Sequence, residues 1–86
     1  MKYVDLEKVE VASQVLEMVG HLIAGEYRIM PFRFENGVLA VALGDPGNAA
    51  ALRELSFMLG CRVEGFLSTP EAIERCIGRW YSGRPG

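Results

Sequence analysis

A short stretch with the composition of a phosphate-binding turn lies near the middle of the chain. Residues 43–48 read Leu-Gly-Asp-Pro-Gly-Asn, between a predicted strand and a predicted helix. A glycine-containing turn that leads from a strand into a helix is a common phosphate site. A Walker-type cradle also needs a lysine followed by a serine or threonine, and this turn has neither.

The charges of this turn also argue against a phosphate. Asp45 brings a negative charge to the place where a phosphate would lie, and Pro46 has no N–H group to donate. We therefore predict a structural turn, in which Asp45 accepts hydrogen bonds from nearby backbone and Pro46 sets the corner.

The other residues that could carry chemistry are scattered. His21 is the only histidine, and neither Cys61 nor Cys76 belongs to a Cys-x-x-Cys pair. A metal site needs several converging ligands, and a catalytic cysteine or serine needs a base beside it. We predict an exposed helical histidine, two free thiols in a reducing compartment and glutamates on solvated faces. The chain is predicted not to be an enzyme, with no cofactor, metal or catalytic residues.

Size and charge exclude several further classes. The chain has 86 residues, a net charge of −2 and a pI of about 5.3, so we expect a single domain that does not bind nucleic acid. We predict no signal peptide, because the first residues alternate between charged and apolar side chains, and no apolar run reaches the roughly 18–20 residues that a membrane span needs. We expect a cytoplasmic protein without direct membrane insertion.

The first part of the chain predicts an extended segment followed by a broken helix. Residues 1–12 alternate between charged and apolar side chains and form an extended lead-in, which could be an edge strand. Helical spacing begins at Ser13, the expected N-cap. Gly20 predicts a break, and Gly25 predicts the end of this helical region. One domain is expected over residues 13–81, with residues 82–86 as a tail or linker.

Asn36-Gly37 predicts a β-hairpin with a two-residue turn. Both residues adopt positive φ readily, as a type I′ turn requires. Such a turn predicts these opposite pairs: Glu35 with Val38, Phe34 with Leu39, Phe32 with Val41, and Met30 with Leu43. The core face would then carry Met30, Phe32, Phe34, Leu39, Val41 and Leu43. The reverse face would carry Pro31, Arg33, Glu35, Val38, Ala40 and Ala42.

A helix, a strand and a last helix follow. Asn48 is the expected N-cap of a helix that ends at Gly60. Its predicted inward stripe consists of Ala51, Leu52, Leu55, Met58 and Leu59. Residues 61–67 alternate as a third strand. Ser68 and Glu71 predict a capping box for the last helix, with Pro70 in its first turn. The predicted inward residues of that helix are Ile73, Cys76, Ile77 and Trp80.

These elements predict an α+β fold with the order α-α-β-β-α-β-α. Helices would pack on one face of a small three-stranded sheet that includes the hairpin. The third strand could lie beside the second and parallel to it, or beside the first in an antiparallel sheet. Pro31 favours the arrangement with the second strand in the centre, because proline needs an unpaired side.

Two features are better explained by contact with another protein. Val38, Ala40 and Ala42 form a small apolar patch on the reverse face of the sheet. Phe57 is an aromatic residue on a charged helix face, beside Arg53. The structural alternative is that the lead-in covers the sheet and that Phe57 lies over Arg53.

Taken together, the segments resemble the N-terminal domain of the type II secretion and type IV pilus assembly ATPases, the GspE/PilB family. The family pattern combines a Tyr-x-Val/Ile-x-Pro-Leu strand, a hairpin, a Val-Ala-x-x-Asp-Pro corner and an Ala-Leu-x-x-Leu-x-Phe-x-x-Gly helix, and nearly the whole chain follows it. The matching residues are Tyr27, Pro31, Gly37, Val41, Ala42, Asp45, Pro46, Ala51, Leu52, Leu55, Phe57, Gly60, Val63, Glu64 and Ile73.

The resemblance implies a non-catalytic docking and regulatory module. In this family the domain precedes the ATPase core and couples it to an inner-membrane platform protein, which would hold it at the membrane face. Some members bind cyclic di-GMP through a repeated Leu-Gly-x-x-Leu motif, which this chain lacks. We therefore expect a protein partner and no small-molecule ligand. The alternative is a nucleotide-responsive module with its ligand at Asp45–Asn48.

Overall fold

A computed structural model describes residues 1–81, which form four helices and a three-stranded sheet. The helices are α1 (Ser13–Met18), α2 (His21–Tyr27), α3 (Ala50–Leu59) and α4 (Pro70–Tyr81). The strands are β1 (Ile29–Glu35), β2 (Val38–Leu43) and β3 (Arg62–Leu67). The predicted α+β class and element order are confirmed. The predicted tail, residues 82–86, lies outside the described residues.

The sheet has the order β1-β2-β3, with β1 antiparallel and β3 parallel to the central β2. This is the arrangement that Pro31 favoured. β1 is an edge strand, so the missing N–H of Pro31 can face away from the ladder. The crossover from β2 to β3 runs through α3, as a parallel pair requires.

The hairpin turn agrees with the prediction, but a β-bulge changes the register beyond it. Asn36 and Gly37 have φ values of 51° and 76°, as a type I′ turn requires. The predicted pairs of Glu35 with Val38 and of Phe34 with Leu39 are confirmed. Between Pro31 and Arg33 the register then shifts by one residue.

The predicted pairs of Phe32 with Val41 and of Met30 with Leu43 are wrong for this reason. Met30 lies opposite Ala42, and Pro31 lies opposite Val41. A bulge sets two residues of one strand against one of the other, so every side chain beyond it changes face. Met30 therefore shares a face with Ala42 and not with Leu43, although it is fully buried, as predicted.

The helix ends differ from the predictions mainly in their caps. The break at Gly20 and the end of α3 at Gly60, which is left-handed with φ 67°, are confirmed. Ala12, not Ser13, is the N-cap of α1, and α2 continues past Gly25 to Tyr27. Ala49, not Asn48, is the N-cap of α3.

The cap of α4 is also one residue away from the predicted one. The Thr69 hydroxyl accepts a hydrogen bond from the Ala72 N–H at 3.1 Å, so Thr69 takes the role predicted for Ser68. Pro70 is the first residue of the helix, as predicted.

One connected core includes both faces of β2 and part of the lead-in. The lead-in makes a single parallel bridge, between Tyr3 and Leu67, and a 3₁₀ turn at Leu6–Lys8. Leu6 and Val11 are buried in the core. On α4, Ile73 and Cys76 are buried while Ile77 and Trp80 are half-buried, which confirms the predicted inward face.

Candidate functional site

The corner between β2 and α3 is closed by its own side chain. Residues Pro46–Asn48 form a 3₁₀ turn, and Asp45 Oδ1 accepts a hydrogen bond from the Gly47 N–H at 2.8 Å. The Asn48 N–H donates to the Asp45 carbonyl at 3.0 Å. The prediction that Asp45 accepts local backbone hydrogen bonds is therefore confirmed. The Asp45 carboxylate thereby occupies the Gly47 N–H, a donor that a bound phosphate would need.

A groove of about 720 Å³ lies beside this corner, between the end of α2 and the first half of α4. The Asn48 side-chain amide donates to the Tyr27 carbonyl at 3.0 Å and joins the corner to α2. Arg28 and Glu74 form an exposed ion pair at 3.4 Å on the lining of the groove. Because Asp45 and Glu74 both line it, the groove carries acidic groups as well as the Arg28 guanidinium, and it does not have the composition of a phosphate site.

Two of the five predicted docking residues are buried within the chain. Ala40 is 2% exposed and Ala42 is fully buried. In the sheet register Ala40 lies between Arg33 of β1 and Glu64 of β3, whose longer side chains stand on either side of its methyl group. A patch of small residues on the central strand is therefore not an open surface, contrary to the expectation from alternation.

The other predicted docking residues remain accessible. Val38 is half-buried at the hairpin end of β2, and Arg53 is exposed on α3. Phe57 lies one helical turn after Arg53 and is 92% exposed, so it does not lie over Arg53 as the structural alternative required. The next residue, Met58, is half-exposed. Its predicted place in the inward stripe of α3 is wrong.

Sequence reasoning did not identify a second exposed apolar residue, Leu22. It is 86% exposed on α2. In the sequence, Leu22 continues the apolar spacing of α1. Val19 and Gly20 have extended backbone and separate the two helices, so the spacing of α1 no longer predicts the buried face of α2.

Among residues 1–81, the two side chains with a clearly shifted pKa, Tyr27 and Cys76, do not have the shift of a catalytic group. The Tyr27 hydroxyl donates to Glu54 at 2.8 Å, and this hydrogen bond, with burial and the nearby carboxylates, raises the pKa of Tyr27. Burial raises the pKa of Cys76, and the neighbouring Arg79 and Arg75 oppose this only in part. A raised pKa keeps the thiol protonated, whereas a nucleophilic cysteine needs a lowered one.

His21 is exposed at the start of α2, and its ring stacks on that of Tyr81 with centroids 5.4 Å apart. Cys61 and Cys76 are both free thiols. Within residues 1–81, no three His, Cys, Asp or Glu side chains converge as they would around a metal ion. No helix in the same range is long and apolar enough to span a bilayer.

The MshEN domain family matches the chain over residues 1–86. The chain belongs to the MshEN domain family. This MshEN chain is 25% identical to the type IV pilus assembly ATPase PilB of Myxococcus xanthus over 79 residues, which are 92% of the chain and 14% of PilB. The resemblance to the N-terminal domain of secretion and pilus ATPases is thus confirmed, and the chain spans only a small part of that relative.

Two solved structures share the MshEN fold. One is a structure of MshE with cdg, with a TM-score of 0.82 and 18% identity, covering 94% of this chain and 59% of that one. The other is the N-terminal domain of XpsE, with a TM-score of 0.77 and 16% identity, covering 94% of this chain and 57% of that one. These likenesses show that the fold recurs at low sequence identity.

Proposed function

We propose that this MshEN domain is a non-catalytic docking module, which couples a type II secretion or type IV pilus ATPase to an inner-membrane platform protein. The observation that carries the proposal is the exposed face of α3, where Phe57 is 92% accessible. An exposed aromatic residue next to an arginine has the composition of a binding hot spot. The similarity to PilB supports a role inside an ATPase of this kind.

Binding would occur through α3 with Phe57 as its anchor. Phe57 would insert into an apolar pocket of the platform protein, while Arg53, one turn earlier, would pair with a carboxylate at the rim. The half-exposed Met58 adds an adaptable apolar contact. Tyr27 holds Glu54 on the neighbouring face of α3, so this part of the helix is tied to α2.

The test is the affinity of the chain for the cytoplasmic domain of the platform protein from the same organism, measured by calorimetry. We expect F57A to weaken binding about 30-fold, the equivalent of about 2 kcal/mol for a hot-spot aromatic residue. L22A is the matched control, because it removes a similarly exposed apolar side chain from a different helix. If folded F57A bound as tightly as the wild type, α3 would not be the docking surface. Wild-type protein that did not bind at all would refute docking itself.

A second candidate is a nucleotide-responsive module with its ligand in the groove beside Asp45–Asn48. The specific observation in its favour is that the fold is shared with MshE, whose structure was solved with cdg, that is, cyclic di-GMP. An NMR titration of labelled protein with cyclic di-GMP and with ATP tests it. Saturable shifts at residues 44–50 would support this function, and unmoved resonances there would exclude it.

A further inference from the structure

The outer edge of β3 is paired at one end only. β3 is an edge strand of the sheet, and the lead-in meets it at Leu67. There the Leu67 N–H donates to the Lys2 carbonyl at 2.7 Å, and the Val4 N–H donates to the Leu67 carbonyl at 3.0 Å. Both backbone groups of Leu67 therefore point away from β2.

The same edge exposes the backbone of Val63 and Gly65. Backbone N–H and C=O groups alternate sides along a strand with a period of two residues, so these two residues point the same way as Leu67. Within residues 1–81, no hydrogen bond to their outward N–H or C=O groups is found. The Cys61 carbonyl, which is next along this edge, accepts from the Ser56 hydroxyl at 2.7 Å. An open row of this kind is a template for another strand.

We propose that this edge pairs with the same edge of a second copy of the chain, as an antiparallel two-fold dimer centred on Val63. In this register the two Val63 residues exchange both of their N–H···O=C hydrogen bonds. Arg62 of each copy then lies directly opposite Glu64 of the other, and both side chains are exposed. The two-fold axis makes this ion pair twice.

Charge selects this register from its neighbours. Centring the pair on Glu64 would set the two Glu64 carboxylates against each other, and centring it on Arg62 would oppose the two guanidinium groups. A register centred on Gly65 would need the backbone of Leu67, which already pairs with Lys2 and Val4. Of these registers, the one centred on Val63 sets opposite charges against each other, uses the unpaired backbone of Val63 and leaves the pairing of Leu67 with Lys2 and Val4 intact. This self-complementarity identifies the partner as a second copy.

The test is sedimentation equilibrium of the full chain between about 10 μM and 1 mM, the range in which weak association is resolved. We expect the wild type to dimerise reversibly. R62E and E64R should each weaken the dimer by at least about tenfold, because each creates two like-charged pairs across the axis. The double variant R62E/E64R restores opposite charges and should restore dimerisation. This rescue distinguishes lost pairing from damaged folding.

Amide hydrogen exchange provides a second, independent test of the proposed dimer. Protection of the Val63 and Gly65 amides should rise with protein concentration, while protection of Leu67 should not change. A wild type that remained monomeric over the whole concentration range would overturn the proposal. So would a dimer unaffected by R62E and E64R, or a double variant that stayed monomeric.

Discussion

A single buried hydroxyl group joins the last helix to the junction of the first two. The Tyr81 hydroxyl on α4 donates to the Val19 carbonyl at 2.6 Å, and Val19 lies between α1 and α2. Tyr81 is 8% exposed and Val19 is fully buried. The change Y81F removes one oxygen and keeps the ring, so the stacking on His21 remains possible.

The size of the effect follows from the burial. A buried hydrogen bond contributes about 1 kcal/mol, and the loss of a donor from a buried carbonyl costs about 1–3 kcal/mol. We expect Y81F to lower the free energy of unfolding by about 2 kcal/mol. For a domain of this size that corresponds to a fall in Tm of about 8–16 °C. The urea m-value should not change, because the surface exposed on unfolding is nearly the same.

The measurement is urea and thermal unfolding of wild type, Y81F and Y27F, followed by circular dichroism. Y27F is the control, because it removes the same atom from an exposed hydrogen bond, to Glu54. We expect it to cost much less than Y81F, because substitutions at exposed contacts usually have small effects on stability. Equal losses in the two variants, or a Y81F protein as stable as the wild type, would refute the assignment of this stability to the buried bond.

Two further predictions concern the cap of α4 and the contact between α2 and α3. T69A should cost about 1 kcal/mol in urea unfolding, because Thr69 caps α4, whereas S68A should cost much less; equal costs would contradict the observed cap. E54A should lower the pKa of Tyr27 towards its ordinary value of 10.0, since the hydrogen bond to Glu54 is the main cause that raises it. Because the folded-state pKa is raised, the contact stabilises the fold below pH 10 and is lost as the pH rises through that pKa. An NMR titration of the Tyr27 ring carbons would show this, and an unchanged pKa in E54A would contradict it.

The local sequence predicted the hairpin turn but not the β-bulge in β1. Asn36-Gly37 determines the turn because few residues adopt positive φ at both positions. No comparably local signal marks the bulge, which leaves Phe32 without a partner in the register. The Phe32 ring packs against Phe66 of β3, with centroids 5.3 Å apart, and Arg33 lies over both rings. The sequence of the hairpin alone does not contain that contact, because Phe66 joins the sheet through the crossover.

The residues that cap α3 and α4 also depend on contacts that the local sequence does not show. Ser68 and Thr69 are adjacent hydroxyl residues, and either could cap a helix that begins with Pro70. The Ser68 N–H donates to the Leu43 carbonyl at 2.8 Å and so continues the pairing of β3 with β2. Ser68 therefore belongs to the end of the strand, which leaves Thr69 as the cap. Likewise, the Asn48 side-chain amide donates to the Tyr27 carbonyl and does not cap α3.

The predicted docking residues on β2 and on α3 differ in exposure: Ala40 and Ala42 are buried, whereas Phe57 is exposed. Alternation along β2 assigned Ala40 and Ala42 to an outer face, but both belong to the connected core. Larger residues of both neighbouring strands flank them in the register, Arg33 and Glu64 at Ala40 and Met30 and Phe66 at Ala42. The position of Phe57 did not depend on the sheet. It follows from helical spacing within α3 alone, where Leu55 faces the core and a residue two positions later points away from it. The helical period of α3 thus predicted the exposure of Phe57, although the same period wrongly placed Met58 inward. The burial of Ala40 and Ala42 could not be predicted from alternation alone, because it depends on neighbouring elements. Phe57 of α3 is therefore a docking residue that the local sequence indicates, whereas the open edge of β3 depends on the strand order of the sheet.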